Sequence, residues 1–230
     1  MTFLIGERYR AQLALAMDAL GVDVLWLPDD PQIDPRLAGH ADLLVFAANG
    51  QAFVAEEIYP YIVNNLTYRG YTVHKSKHRG TIYPKDAGLC LCDTGRYLIH
   101  NPKTADRAAV AAAKDRRPIP VAQGYAQCAA CVVNDDSIIT SDAGVSSASK
   151  KAGIDVLDIT AGYVHLEGFD YGFIGGASFK LNDHTIAFTG TLDKHPDKDR
   201  ILAFLAAHGQ TPIFLTQDPI FDIGGAIALP

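Results

Sequence analysis

The side chains in this sequence that could do chemistry are its thiols and its histidine–carboxylate pairs. Four cysteines occur, Cys90 and Cys92 in Leu89-Cys90-Leu91-Cys92 and Cys128 and Cys131 in Gln127-Cys128-Ala129-Ala130-Cys131. A thiolate among them could attack an electrophilic carbon, and Cys128, with the amide of Gln127 beside it, is the candidate nucleophile. Such a thiolate needs a cationic or imidazole neighbour to form at neutral pH. No histidine adjoins Cys128 in the sequence, so a packed core thiol is the competing reading. As metal ligands the sulfurs are badly spaced. On a strand, Cys90 and Cys92 would share a face and Cys128 and Cys131 would point to opposite faces, whereas zinc sites draw on turn-borne pairs. No metal is expected. His40 with Asp42 and His165 with Glu167 each set a base and a carboxylate two residues apart, on one face of an extended segment.

Composition narrows the partners. With 230 residues, 48% of them hydrophobic, the chain can bury a sizeable core. A formal charge of −6 argues against a phosphate backbone as partner. The short basic groups Lys75 to Arg79 and Lys114 to Arg117 read as solvated loops or helix ends. No apolar run is long enough to cross a bilayer, and Met1-Thr2-Phe3-Leu4-Ile5 lacks the marks of a signal peptide, so a cytoplasmic protein is expected, its cysteines kept as thiols. There is no phosphate-binding Gly-Lys-Ser/Thr loop, and Gly172-Phe173-Ile174-Gly175-Gly176 does not lie in the strand-to-helix order of a dinucleotide site, so no organic cofactor is expected.

The elements that must position these residues repeat. A helix ending in glycine and followed by a short strand recurs at Gly21, Gly70, Gly153 and Gly209, and Arg116 to Val121 supplies a fifth copy without the glycine. Before these marks stand helices with apolar stripes, such as Leu13, Met17 and Leu20, or Ile201, Leu205 and His208. Pro60 and Pro196 suit first helical turns, and Thr104 is the expected N-cap of the Ala-rich helix. Upstream of the helices lie strands at 2–5, 52–55, 96–99, 137–140 and 184–188, four of them entered through turns rich in Gly, Asn or Asp. First strands are expected at 42–47, 87–92, 127–133, 175–181 and 224–229. The last of these has no hairpin partner after it, and strand 2–5 has none before it. Pairing the two ends would complete a fifth ββαβ unit and close a ring without exposed sheet edges. The expected fold is thus an α/β, five-bladed propeller around a central channel, one domain over residues 1–230.

At this level the sequence resembles the pentein superfamily of guanidino-group-modifying enzymes, which includes dimethylarginine dimethylaminohydrolase and the arginine and agmatine deiminases. Asp86-Ala87-Gly88 resembles the Asp-Gly-Gly that opens a first strand there. Val121-Ala122-Gln123-Gly124 resembles the approach to the family's catalytic histidine, and Gly175-Gly176-Ala177 and Gly224-Gly225-Ala226 are similar to its paired glycines. The resemblance implies a cysteine nucleophile on the last first-strand, a histidine opening the third, and carboxylates gripping a planar cation. At those places this chain has Ala226-Ile227-Ala228 and Tyr125-Ala126-Gln127, so the usual nucleophile and base are missing by position. Asp42 and Asp86 are the implied channel carboxylates, with capping of a strand start as the alternative. His40 opens the first complete unit beside Asp42, and Asp170 and Asp222 hold equivalent starting positions in later units. The leading expectation is a pentein protein without cysteine-dependent hydrolysis that binds a small polar molecule, guanidinium-containing ones included, through His40, Asp42, Asp86, Gln127, Asp170 and Asp222. The alternatives are an amidinohydrolase or amidinotransferase with a relocated thiol, Cys128, and a non-enzymatic module that binds a protein or the ribosome.

Overall fold

The structure is a computed structural model that describes residues 1–76, 82–83 and 85–229; the basic group ending at Arg79 lies partly outside them. The chain opens with strand β1 (Thr2–Gly6), helix α1 (Arg10–Ala19) and strand β2 (Asp23–Leu27). A four-residue helix α2 (Ala41–Leu44) leads into the hairpin β3 (Val45–Ala48) and β4 (Gln51–Ala55), then helix α3 (Tyr59–Tyr68) and β5 (Thr72–Ser76). The next unit has a 3-10 turn at Ala87–Leu89, β6 (Cys92–Asp93), β7 (Tyr97–His100), α4 (Arg107–Ala112) and β8 (Arg117–Pro120). The third has a short helix α5 (Ala126–Ala129), β9 (Ala130–Asn134), β10 (Ser137–Thr140), α6 (Ala143–Ala152) and β11 (Asp155–Asp158). The fourth comprises β12 (Ser178–Asn182), β13 (Thr185–Phe188), α7 (Lys198–Ala207) and β14 (Thr211–Phe214), and β15 (Ile227–Leu229) closes the described chain.

These strands make five three-stranded sheets, each with an antiparallel hairpin on one edge and a parallel, helix-connected strand on the other. The fifth is assembled from both ends of the chain in the order β15-β1-β2, with Thr2 opposite Leu229 and Leu4 opposite Ile227. The expected pairing of the termini is therefore present. The glycine that ends a helix is also there for a stated reason, since Gly21, Gly70, Gly153 and Gly209 all have φ between +66° and +93°.

Helices α1, α3 and α7 each lay an apolar stripe on their own sheet. Leu13 and Met17 of α1, Ile62 and Leu66 of α3, and Ile201 and Leu205 of α7 are fully buried, each contributing about 1.5–3 kcal/mol of burial. Leu20 does not join its stripe: it is the C-cap of α1 and is 40% exposed. Neighbouring sheets meet through their first strands. A cavity of about 410 Å³ is lined by Phe46, Asp93, Val132, Phe179 and Ile227, one from the first strand of every sheet, and behind it Phe3 of the middle strand β1 packs on Phe179 of β12 with ring centroids 5.2 Å apart. No helix among the described residues is long and apolar enough to cross a membrane.

The main departure from the sequence reading lies at the unit starts. Asp42, Ala87 and Gln127 were placed on strands, yet they lie in α2, the 3-10 turn and α5, and the strands begin at Val45, Cys92 and Ala130. A short apolar run such as Leu43 to Phe46 has no period that separates a single helical turn from a buried strand. Consequently Cys90 and Cys92 do not share a strand, and Cys128 sits on a helix while Cys131 sits on β9. In the fourth and fifth units the strands also start later, at Ser178 and Ile227, because Gly175 to Ala177 and Gly224 to Ala226 form turns. Pro60 does lie in the first turn of α3, but Pro196 precedes α7.

Helix α4 is capped by Asp106 rather than Thr104. Its carboxylate accepts the amide N–H of Ala108 (2.8 Å) and Ala109 (3.2 Å) and the Ser76 hydroxyl (2.6 Å). Asp106→Ala should lower stability by about 2 kcal/mol, the sum of a lost cap and an orphaned buried hydroxyl, whereas Thr104→Ala should change it by less than about 0.5 kcal/mol. Urea unfolding midpoints of the two variants measure the difference.

Candidate functional site

The helical turns that open the first three complete units aim their polar side chains at one another. Asp42, in the first turn of α2, is 1% exposed, and its Oδ2 accepts the Sγ–H of Cys90 at 2.9 Å and of Cys128 at 2.6 Å. Its backbone N–H donates to Gly224 O at 3.3 Å, which brings in the fifth unit. Asp86, N-cap of the 3-10 turn, makes no side-chain cap; it accepts the phenol of Tyr125 at 2.8 Å instead. The alternative role for these aspartates is to cap a turn or strand start. It holds for Asp222, whose Oδ1 takes Gly224 N–H at 2.8 Å and whose Oδ2 takes Phe173 N–H at 2.9 Å.

His40 caps α2 from an extended conformation and is 2% exposed, with Nδ1 3.9 Å from Asp222 Oδ1. The ligand atoms of His40, Asp42 and Cys128 all lie within 4.8 Å of one another. An imidazole does therefore stand near Cys128, contributed by another unit rather than by its sequence neighbours. Two glycines make room for this packing. A Cβ on Gly176 would stand 2.0 Å from Asp222 Oδ1, and one on Gly224 would stand 2.5 Å from the Cβ of His40.

His40, Tyr125, Cys128 and Asp222 line a cavity of about 400 Å³ whose walls are Tyr83, Phe169, Tyr171 and Phe173, with Asp170 exposed among them. Gln127 is separated from this group and lines the cavity of the first strands. His165 and Glu167 are exposed and belong to a third cavity, about 480 Å³, which also contains Arg8, Arg36 and Lys194. Sequence reasoning missed Cys90, Tyr125 and the aromatic wall. The equivalence of unit starts was the signal for the first two, because Cys90 and Tyr125 flank turns homologous to the one that holds Asp42.

Burial sets the protonation states. It pushes Asp42 up to about 7 against the pull of the two thiol donors. It also lowers His40, which Asp222 only partly offsets, so the imidazole is neutral. Cys128 is raised well above an ordinary thiol, first by its hydrogen bond with Cys90 and then by burial, and burial pushes Cys90 up to about 11. At neutral pH the site contains two protonated thiols, not a thiolate.

The chain matches over residues 4–227 the model of DUF6873, a family of unknown function. It belongs to that family. No curated protein matches it. Among solved structures it is similar to DDAH from Pseudomonas aeruginosa, a cysteine-to-serine mutant complexed with citrulline, at a TM-score of 0.58 and 11% identity, covering 98% of this chain and 95% of that one. The N-terminal domain of an arginine dihydrolase from the ornithine-ammonia cycle in cyanobacteria gives 0.59 and 13% over 98% and 94%. An amidinotransferase of saxitoxin biosynthesis from Microseira wollei gives 0.55 and 9% over 91% and 77%. These likenesses show a pentein-like fold, in keeping with the five small sheets.

All four cysteines are buried, and Cys131 is likewise pushed up to about 11. In the native protein at neutral pH none should react with Ellman's reagent within minutes, and all should react on unfolding in urea. A burst from one thiol, traced to Cys128 by mass spectrometry, would reverse the protonation assignment.

Proposed function

We propose that this DUF6873 protein is a closed five-bladed propeller of one domain that binds a small organic cation in the cavity lined by His40, Tyr125, Cys128 and Asp222 and does not use the cysteine hydrolysis of its fold relatives. The observation that carries this reading is the combination, in one cavity, of the buried Asp222 carboxylate with the faces of Tyr83, Phe169, Tyr171 and Phe173. Carboxylate and aromatic faces together favour a planar or alkylated cation such as a guanidinium or ammonium group, each through Coulomb and cation–π attraction. Ring closure is supported by the β1–β15 pairing and by contacts that join successive unit starts: Cys90 to Asp42, Tyr125 to Asp86, Gly176 N–H to Cys128 O, and Gly225 N–H to Gly176 O.

The fold relatives include a citrulline complex and an arginine dihydrolase, which makes guanidinium compounds the first class to try. Against hydrolysis stand the Ala226-Ile227-Ala228 stretch in place of a nucleophile, and a Cys128 thiol held protonated by Cys90 and burial. One contact favours the second reading, an amidine hydrolase using Cys128: the imidazole of His40 lies within 4.8 Å of it.

Isothermal titration with arginine, agmatine and methylated arginines should reveal saturable binding of at least one cation, and neutral citrulline should bind more weakly. Asp222→Asn should weaken the bound cation by about tenfold or more, the scale of one lost charge-assisted contact. Colorimetric assay of the same mixtures should yield no citrulline or urea. Turnover that disappears in Cys128→Ala would establish the hydrolase reading in its place, and absence of binding by every cation would remove the ligand class.

A further inference from the structure

Two atoms beneath the cavity have no assigned task. His40 Nε2 and Asp42 Oδ1 make no hydrogen bond among the described residues, although both side chains are buried to 2% or less. Leaving a buried donor or acceptor unmade is costly, and two such atoms on residues of one buried cluster mark a place where something else belongs. The other oxygen of Asp42 is crowded by two S–H donors, from Cys90 and Cys128, so protons occupy positions where a cation would be equally well received.

We propose that His40, Asp42 and Cys128 form a site for a divalent transition metal, zinc by the chemistry of its donors, with one coordination position facing the cavity. Their ligand atoms lie within 4.8 Å of one another and all three residues are buried. Ligands about 2.0–2.3 Å from a tetrahedral zinc ion stand about 3.3–3.8 Å apart, so a set already gathered within 4.8 Å needs only small side-chain adjustments to hold one. One imidazole, one carboxylate and one sulfur select zinc over magnesium or calcium, which prefer oxygen alone. Because His40 and Cys128 line the cavity while Asp42 lies behind them, the remaining position opens into it.

Supporting groups are in place. Asp222 Oδ1 lies 3.9 Å from His40 Nδ1, and Nε2, which has no partner among the described residues, is the nitrogen left to coordinate. Cys90 remains a thiol donor to Asp42 and orients that carboxylate. Gly224 keeps the space open, since a Cβ there would stand 2.8 Å from Asp42 Oδ1. When the ion enters, the Cys128 S–H bond breaks, the sulfur keeps the electron pair to bond the metal, and the proton leaves to solvent. One thiolate and one carboxylate then balance the doubly charged ion. The metal site does not depend on the identity of the proposed organic cation, and its test uses no organic ligand.

The full chain, purified without chelator and without a histidine tag, should contain about one zinc ion per chain by inductively coupled plasma mass spectrometry. Cobalt loaded after chelation should give a thiolate-to-metal charge-transfer band in the near ultraviolet. Cys128→Ser should abolish that band and His40→Ala should cut metal content at least tenfold, whereas Cys92→Ser should keep both. Circular dichroism on each variant separates metal loss from misfolding. A folded wild-type chain that takes up neither zinc nor cobalt overturns the proposal, and so does a cobalt band that survives Cys128→Ser.

Discussion

β1 lies in the middle of its sheet, so both of its edges need partners. β2 satisfies one through the helix α1 crossover, and the other is met by β15, more than two hundred residues away in sequence. Backbone N–H and C=O groups on a buried strand must be paired, and this requirement draws the two ends of the chain together. The consequences run directly to the site. With β15 fixed beside β1, the turn Gly224 to Ala226 is pressed against α2, where Asp42 N–H donates to Gly224 O and His40 packs over the glycine. The fifth unit thereby supplies Asp222 to a cluster whose other members come from the first three.

That cluster is expensive to maintain. A carboxylate, an imidazole and two thiols are removed from water together, and burial works against charge on every one of them. A core built for stability alone would fill the same volume with aliphatic side chains, as it does a few residues away at Leu43, Leu44 and Val45. Polar groups kept in such a place at the convergence of several units fit a binding function rather than a structural one. The rim has the opposite character, since Tyr83, Phe169 and Tyr171 remain 38–47% exposed around the mouth. The small organic cation proposed as ligand would meet apolar faces at the entrance and the carboxylate at depth.

The fold relatives make the same point from outside. At 9–13% identity they share the architecture over nearly the whole chain, while the residues at corresponding places differ. A shared architecture fixes where side chains converge without fixing which side chains they are.

The repeat was legible in the sequence because its marks are local. A glycine at positive φ, a turn rich in Asn and Gly and an apolar stripe each depend on residues within a few positions of one another, and the complementary half-units at the two ends announced their own pairing. His40, Asp42, Asp86 and Asp222 could be nominated from their places in those units. What the unit starts would look like was not legible, because a run such as Leu43 to Phe46 is apolar in either conformation, and only contact with the neighbouring unit selects one helical turn before the strand. The meeting of Asp42 with Cys90 and Cys128, the arrival of His40 beside a thiol 88 residues away, and the exclusion of Gln127 from their cavity were decided by the tertiary structure alone. Local physics determines each unit by itself, but the distance between side chains of different units is set by how the sheets pack, and no spacing within the sequence encodes it.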